Sequence, residues 1–450
     1  MPLAVTWILY ECDGPVHIAP RLDKGSVLTM NRHDLRSFRP EYGYGFDTVA
    51  IREGQSIDCA DVNSEPLALT NSYIFSDPLD AELKFTNRRK GHVYSRMSNP
   101  TVDALEKRLG ALEGAEETVA FASGMAAVDA IFWTLLKRGD HVVCAREIFG
   151  TSSYLLQKYY TPLGIDVDFV DVRSVSEWKN AIRTNTRLLF LETPANPNLR
   201  LGNIRQLASI PKPSGCQLVV DNTVATPVIQ RPLGLGADAV IHSAGKYIDG
   251  QGRVMGGLVA TSHELAQQLR AVLRDRGPCL SPFNAWSLLK SLETLSIRMR
   301  AHSQRARAIV EWLNRSPYVT RVNYPHGKKY DQTRLALQQH LDDDFHGGLL
   351  SFTIQGDKNT AWAIMEQLQL ITISTNIGDT KSLITHPATT THVRASPEER
   401  AKADISDCLL RISVGLEHEG DLIDDLKNAF DLVFKRMIFL NNDYCQCTSR

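Results

Sequence analysis

The stretch Val240-Ile-His-Ser-Ala-Gly-Lys-Tyr-Ile-Asp-Gly250 decides how the rest of the sequence is interpreted. It opens on apolar residues that predict the end of a buried strand, and small residues and Lys246 follow directly. Open α/β sheets bind their ligands just beyond the carboxyl ends of their strands. A lysine at that place is a candidate nucleophile or base, because desolvation lowers the pKa of its amine. Most lysines after a strand are solvated, so the residues at the other predicted strand ends must show whether Lys246 has a chemical role.

Apolar segments and amphipathic helical segments alternate between residues 101 and 274. The predicted strands are Thr118–Ala122, His141–Cys144, Asp166–Val170, Arg187–Glu192, Gln217–Asp221, Ala237–His242 and Gly256–Thr261. Apolar strands that are separated by helices are typical of a mainly parallel sheet covered on both faces. The predicted fold class is therefore α/β, and this region is the predicted catalytic domain.

The regions on either side have a different character. Residues 1–98 show no sustained periodicity and are interpreted as an N-terminal extension and arm, with residues 1–45 as its disordered part. Beyond the catalytic region, a long helix is predicted from Phe283 to about Leu313. Shorter strands and helices after it indicate a smaller α+β domain. The predicted domains are thus residues 1–98, 99–297 and 298–450.

Composition excludes several classes of protein. The net charge of −1 over 450 residues gives no electrostatic case for binding nucleic acid or an anionic membrane. No apolar run approaches the ~20 residues that span a bilayer, and no signal peptide is expected from Leu3–Tyr10. The eight cysteines are scattered, and only Cys445 and Cys447 are close together. A cytoplasmic protein with reduced thiols is therefore expected, and no metal site is predicted.

Four features mark the predicted strand ends. Ser123-Gly-Met125 lies between a strand and a helix, where free backbone N–H groups favour an anion such as phosphate. Asp221 closes a strand and can keep a nearby ring nitrogen protonated, and Lys246 follows another strand. Arg411 lies in an apolar strand, and its fork suits a substrate carboxylate. Each also has an ordinary structural explanation: a tight turn, a helix cap, a solvated lysine or an internal ion pair.

Taken together, the four features describe a site for pyridoxal 5'-phosphate and an amino acid. A dehydrogenase with a dinucleotide cradle is the competing interpretation. No G-x-G-x-x-G motif opens a helix after a predicted strand, however, and Gly250, Gly252 and Gly256 follow the wrong element.

Longer motifs resemble those of the Cys/Met-metabolism family of pyridoxal-phosphate enzymes, from about Phe46 to about Phe434. The motifs are Tyr94-Ser-Arg-Met-Ser-Asn-Pro-Thr101, Ser123-Gly-Met125, Glu192-Thr-Pro-Ala-Asn-Pro197, Asp221-Asn-Thr223, His242-Ser-Ala-Gly-Lys-Tyr247, Leu280-Ser-Pro-Phe-Asn-Ala-Trp286, His386-Pro-Ala-Thr-Thr-Thr-His392 and Arg411-Ile-Ser-Val-Gly-Leu-Glu417. The resemblance implies the aspartate-aminotransferase-like fold (fold type I) and pyridoxal 5'-phosphate as cofactor.

The resemblance also implies roles for single residues. Lys246 would bind the cofactor covalently, and Asp221 would partner its pyridine nitrogen. The other implied cofactor contacts are Ser123, Gly124, Met125 and Ser243 at the phosphate, Phe149 at the ring, Asn196 at the phenolic oxygen, and Tyr94 and Arg96 at the phosphate of a neighbouring subunit. Arg411 would bind the substrate carboxylate, with Asn376 near it. The implied assembly is a homotetramer built from active dimers.

Within the family, the match is closest to the sulfhydrylase branch. Its carriers are Lys246-Tyr-Ile-Asp-Gly-Gln-Gly-Arg253, Asn376-Ile-Gly-Asp-Thr-Lys381, Thr389-Thr-Thr-His392 and Phe149, where lyases of the family typically have tyrosine. The implied reaction is γ-replacement on O-succinylhomoserine by sulfide, which gives homocysteine for methionine biosynthesis. A cystathionine γ-synthase and a γ-lyase would share the residues with implied catalytic roles, and both stay alternatives.

One residue departs from the family pattern. Gly245 precedes the lysine, where the family usually has a threonine whose hydroxyl helps to bind the phosphate. The loss of one hydrogen bond to a charged group predicts cofactor affinity lower by about tenfold to a hundredfold. It is also the one reason to consider a non-catalytic relative that keeps the fold.

Overall fold

The computed structural model describes residues 44–55, 63–327 and 330–447. It contains a seven-stranded sheet and a five-stranded sheet. The prediction of a mainly parallel large sheet followed by a smaller α+β domain is confirmed. Disorder was predicted for residues 1–45, and residues 1–43 lie outside the described part of the chain. The predicted boundaries after residues 98 and 297 stay predictions.

Among the described residues, the large sheet and its helices lie between residues 46 and 276. Their elements are α1 (Phe46–Arg52), α2 (Pro78–Phe85), α3 (Pro100–Glu113), β1 (Glu117–Phe121), α4 (Gly124–Leu135), β2 (His141–Ala145), α5 (Gly150–Leu155) with a π turn (Leu156–Tyr160) and a 3-10 turn (Thr161–Leu163), β3 (Asp166–Val170), α6 (Val175–Ala181), β4 (Thr186–Glu192), α7 (Ile204–Ala208), β5 (Gln217–Asp221), α8 (Thr226–Ile229), a 3-10 turn (Leu233–Leu235), β6 (Ala239–Ser243), β7 (Gly257–Thr261) and α9 (His263–Arg276). Apart from the edge strand β3, the strands are apolar and almost wholly buried because helices cover both faces of the sheet.

The strand order of the large sheet is β1-β7-β6-β5-β4-β2-β3. All neighbours from β6 to β3 run parallel, whereas β7 is antiparallel to both β1 and β6. Glu192 is paired with Asp221, and Asp221 with Ile241, so the carboxyl ends of three central strands lie side by side. The end of β1 reaches the same edge, because Phe121 and Ser243 both pair with Gly257.

The second part of the chain forms two connecting helices and the small domain. Its elements are α10 (Pro282–Leu292), α11 (Leu295–Leu313), β8 (Val319–Asn323), α12 (Thr333–Gln339), β9 (Leu349–Ile354), α13 (Lys358–Gln367), β10 (Thr372–Ile373), β11 (Leu383–Thr385), a 3-10 turn (Pro387–Thr389), α14 (Pro397–Lys402), β12 (Leu409–Ser413) and α15 (Glu419–Cys447). The small sheet has the order β10-β11-β12-β9-β8 and is antiparallel except between β10 and β11. Arg411 lies on its central strand.

The prediction of a single long helix from Phe283 to Leu313 is wrong, because two separate helices, α10 and α11, cover this range. At the interruption, the Ser291 carbonyl accepts a hydrogen bond from the guanidinium of Arg298 at 2.9 Å. The same guanidinium binds the carbonyls of Tyr247 and Ile248. The interruption therefore lets Arg298 hold the backbone directly after Lys246.

The stability of the folded chain is expected to fall as the pH drops from 7 to 5. Burial lowers the pKa of His340 to about 3 and that of His346 to about 4. Both titrate near pH 6.5 when unfolded, so the unfolded chain binds more protons below that pH. The contribution of these two neutral histidines to the free energy of unfolding is complete above pH 6.5 and is lost as the pH falls toward their pKa values in the folded chain. A single histidine of this kind loses about 2 kcal/mol by pH 5.

The urea midpoint of unfolding, followed between pH 7.5 and pH 5, checks this expectation. His340→Gln should give a flatter pH dependence than the unchanged protein. His418→Gln is the matched control, because His418 is exposed. The same slope in all three proteins would show that the buried histidine is not the cause.

No helix among the described residues is long and apolar enough to cross a membrane.

Candidate active site

A cavity of about 920 Å³ opens at the carboxyl edge of the large sheet, and residues from both domains line it. The predicted site residues that line it are Gly124, Met125, Phe149, Asn196, Asp221, Ser243, Lys246 and Arg411. They come from strand ends and loops that are far apart in sequence. The strand order of the large sheet brings all of them except Arg411 to one edge, and Arg411 reaches the cavity from β12 of the small sheet.

The start of α4 forms a cradle for an anion. The Ser123 side chain caps the helix by accepting the Ala126 N–H at 3.1 Å. A Cβ atom on Gly124 would lie 2.6 Å from Ser243 Cβ, and one on Gly257 would overlap the Ser123 carbonyl. The two glycines therefore allow β1, β6 and β7 to meet at the helix N-terminus. Free N–H groups and the Ser243 hydroxyl at this place suit a phosphate.

Lys246 is half-buried, and its Nζ donates a hydrogen bond to Asn376 Oδ1 at 2.5 Å. Burial, and secondly the positive charge of Arg411, lower the pKa of the lysine amine. Both effects favour the neutral amine, which is the form that acts as a nucleophile or base. Asn376 does not line the cavity but orients this amine from the small domain.

Asp221 ends β5 and accepts the Thr223 N–H at 3.0 Å. Burial raises the pKa of its carboxyl. A positively charged ring nitrogen beside it would stabilise the carboxylate. Thr223 also holds the neighbouring strand, since its Oγ1 accepts the Ser243 N–H at 2.8 Å.

Glu192, at the start of the Glu192–Pro197 motif, has no role predicted from the sequence. Its buried carboxyl accepts the N–H groups of Phe149, at 2.7 Å, and of Asn196, at 3.0 Å. Burial, and secondly the neighbouring Asp221, raise its pKa. Glu192 therefore positions the two residues predicted at the cofactor ring and its phenolic oxygen. Its position at the end of β4, beside Asp221, was the feature from which a role for Glu192 could have been predicted.

Arg411 is buried on β12, at 1% exposure. It donates to Asn196 Oδ1 at 3.1 Å and to the Thr375 and Asn376 carbonyls at 2.8 and 3.2 Å. Its buried Nε has no hydrogen-bond partner among the described residues. Burial lowers its pKa to about 10, so the guanidinium stays protonated at neutral pH. The arginine is held in place by neutral groups and keeps its charge for an anion.

Tyr94 and Arg96 lie apart from this cavity, on the exposed arm. The Arg96 guanidinium stacks over the Tyr94 ring at 5.7 Å and donates to the Arg274 carbonyl. Contact with the cofactor of a neighbouring subunit stays a prediction for both residues.

Gly245 has no room for the threonine that the family usually carries. A Cβ atom at this position would lie 2.8 Å from the Val254 carbonyl oxygen and 3.3 Å from Met255 Cα. Both are backbone atoms, so the loop before β7 would have to move. Gly245→Thr is therefore expected to weaken cofactor binding by roughly tenfold or more, because overpacking costs about 1–3 kcal/mol.

Absorbance titration of the apoprotein with pyridoxal phosphate measures this effect. Gly234→Thr is the control, since a Cβ atom at Gly234 meets nothing within 4 Å. Tighter cofactor binding in Gly245→Thr would contradict the expectation and would show that a missing hydroxyl limits the site.

The site fits pyridoxal phosphate in each of its parts. It combines a glycine-lined anion cradle, a buried carboxylate, a desolvated lysine and a buried arginine with an unpaired Nε. Among the described residues, no group of three or more metal-binding side chains is placed to hold a metal ion.

Fold and site together define a fold type I pyridoxal-phosphate enzyme. Residues 47–431 match the family described as Cys/Met metabolism PLP-dependent enzyme, and the chain belongs to that family. Its cofactor is pyridoxal 5'-phosphate, as predicted, and it is a PLP-dependent enzyme of the trans-sulfuration group.

Known relatives cover most of the chain. It is 47% identical over 384 residues to the O-succinylhomoserine sulfhydrylase of Pseudomonas aeruginosa, a match that covers 85% of this chain and 94% of the relative. It is 40% identical over 392 residues to an L-methionine gamma-lyase of Fusobacterium nucleatum, covering 86% and 98%. A Campylobacter jejuni structure, described as an O-acetylhomoserine (thiol)-lyase with pyridoxyl-lysine phosphate at its position 205, superposes with a TM-score of 0.83. That match has 33% identity and covers 86% of this chain and 100% of the other.

Proposed function

We propose that this enzyme catalyses γ-replacement on O-succinylhomoserine, with sulfide as the nucleophile and homocysteine and succinate as the products. The observation that carries the proposal is Phe149, which lines the cavity where lyases of the family typically have tyrosine. An apolar ring offers no hydroxyl to transfer protons in a competing elimination. The 47% identity to a relative named for this activity supports the same choice.

Three side chains have separate roles in the proposed reaction: Arg411, Asn376 and Lys246. When bound, the cofactor supplies a sink for the electrons that are left at Cα of the substrate. Arg411 binds the substrate carboxylate, and Asn376 orients the Lys246 amine. Lys246, a general base with a lowered pKa, removes the proton from Cα and releases it, and the amine, neutral again, then removes one from Cβ. The Cγ–O bond breaks and succinate leaves, hydrosulfide forms the Cγ–S bond, and the protons return to Cα and Cβ.

Assays with two nucleophiles test the proposal on the reconstituted holoenzyme. O-succinylhomoserine is supplied first with sulfide and then with cysteine, and the sulfur product is identified. Homocysteine formed with sulfide at the higher kcat/KM is the expected result. Cystathionine as the preferred product would make the enzyme a cystathionine γ-synthase instead.

A γ-lyase is the second candidate, and the 40% identity to an L-methionine gamma-lyase supports it. Such an enzyme splits its substrate without an added nucleophile. Methanethiol released from methionine alone, faster than homocysteine is formed from O-succinylhomoserine and sulfide, would favour this candidate.

We also propose a cytoplasmic homotetramer that is built from active dimers. The exposed positions of Tyr94 and Arg96, away from the cavity of their own chain, support shared sites. Large apolar side chains near them, Leu69 and Ile74, are 71% and 96% exposed and offer surface for a second copy. Light scattering of the holoenzyme, with Ile74→Glu as a variant that should weaken the assembly, tests the proposal.

A further inference from the structure

Seven cationic and four acidic side chains line the cavity, and the acidic ones are Glu147, Glu192, Asp221 and Glu399. Besides Lys246 and Arg411, five cationic side chains line it: Arg146, Arg200, Arg394, Arg400 and Lys402. Most of them have partners within the protein. Arg200 pairs with Glu147 at 2.8 Å, Arg146 donates to the Phe169 carbonyl at 3.0 Å, and Arg400 donates to the Ala388 carbonyl at 2.8 Å.

Arg394 is the exception among these arginines. It has no hydrogen bond and no ion pair with a carboxylate among the residues that the structure describes. Its guanidinium lies over the ring of Tyr154, 4.9 Å from the ring centroid. A cation held on an aromatic face is positioned but not neutralised. Arg394 therefore keeps its five N–H donors for a ligand.

The position of Arg394 relative to Arg411 follows from the chain path. Thr385 pairs directly with Arg411 in the small sheet. From there the chain runs outward along one wall of the cavity, through the 3-10 turn at Pro387–Thr389, to the exposed Arg394. Tyr154, on α5, belongs to the large domain. One arginine thus lies deep in the cavity and the other at its rim, where the two domains face each other.

We propose that Arg394 binds the distal carboxylate of the succinyl group and so selects succinylated over acetylated homoserine. This inference rests on the proposed function. O-succinylhomoserine has one carboxylate at the amino acid end and one at the far end of the acyl group. With the first on buried Arg411, the second points outward toward the rim. An acetyl group has no charge at that end, and the fork of an arginine suits a carboxylate in two-point contact.

Ligand affinities test the inference without depending on the nucleophile. In a Lys246→Ala background, which stalls proton removal, the binding of O-succinylhomoserine and of O-acetylhomoserine is measured through the absorbance of the bound cofactor. Arg394→Met is expected to weaken binding of the succinyl compound by about tenfold to a hundredfold, as for a lost charged hydrogen bond. Binding of the acetyl compound should not change. The side chain is exposed, so the substitution should leave the fold intact.

Lys402→Met is the matched control, because Lys402 is another cation of the cavity wall. It should leave the preference for the succinyl compound unchanged. The inference is overturned if Arg394→Met weakens both ligands equally or neither, or if Lys402→Met removes the preference instead. Failure of the proposed function has a separate sign, namely no homocysteine from O-succinylhomoserine and sulfide in the unchanged enzyme, whatever the two ligands show in the binding assay.

Discussion

Lys246→Ala is expected to lower turnover by at least about a thousandfold, since a positioned general base alone contributes 10²–10⁴-fold. The substitution removes the amine that binds the cofactor and takes the substrate proton. It leaves the cradle at Gly124 and the carboxylate of Asp221 in place, so the protein should still take up the cofactor. Steady-state rates of homocysteine formation, at matched cofactor occupancy, measure the loss.

Two further measurements separate chemistry from structure. Lys246→Arg should be as inactive as the alanine variant, because a guanidinium stays protonated at neutral pH. An added small primary amine should restore part of the activity of Lys246→Ala, since the variant leaves space for it. Turnover at the unchanged rate in Lys246→Ala would refute the assignment.

Arg411→Met is expected to lower kcat/KM by about 10²–10⁴-fold, chiefly through KM. The arginine would bind the carboxylate with two charged hydrogen bonds, each worth about 1.5–3 kcal/mol. Arg411→Lys keeps the charge but loses the fork, and it should recover only part of the loss. Initial rates over a range of substrate concentrations separate the effects on KM and kcat.

A neutral substrate provides the matched control for Arg411. An analogue with an amide in place of the carboxylate should react slowly with the unchanged enzyme and equally slowly with Arg411→Met. Because Arg411 is buried and also holds Asn196, the cofactor absorbance and the melting temperature of the variant must be recorded as well. Equal losses for both substrates would mean that the arginine supports the site rather than binding the carboxylate.

Much of the fold could be predicted because buried parallel strands have a plain signature. Segments such as Gln217–Asp221 are apolar on both faces, and the predicted bounds agree with β5. The interruption between α10 and α11 could not be predicted, because the hydrogen bonds found there, from Arg298 to the Ser291 and Tyr247 carbonyls, form only in the folded chain. Periodicity records which residues face the core and carries no information on such side-chain contacts.

For the candidate site as well, residues at strand ends could be predicted from the pattern of strands, whereas residues in loops could not. Those that follow strand ends, such as Asp221 and Lys246, line one cavity because the strand order determines where strand ends meet. Arg394 was missed since it lies in a loop without periodicity, and nothing in the sequence indicates that it lines the cavity or lies over Tyr154. The role of Tyr94 at the cofactor of a second subunit stays a prediction.

The order of strands also has a consequence for synthesis on the ribosome. In the described sheet, β1 pairs only with β7, although β1 leaves the ribosome before every other strand of that sheet. Domains fold as their chains emerge, from the N-terminus onward. A nascent chain can therefore assemble β2 to β6 first. The anion cradle at the start of α4 is complete only after Thr261 has been synthesised and β7 has paired with both β1 and β6. We therefore expect uptake of the cofactor only late in the synthesis of the chain.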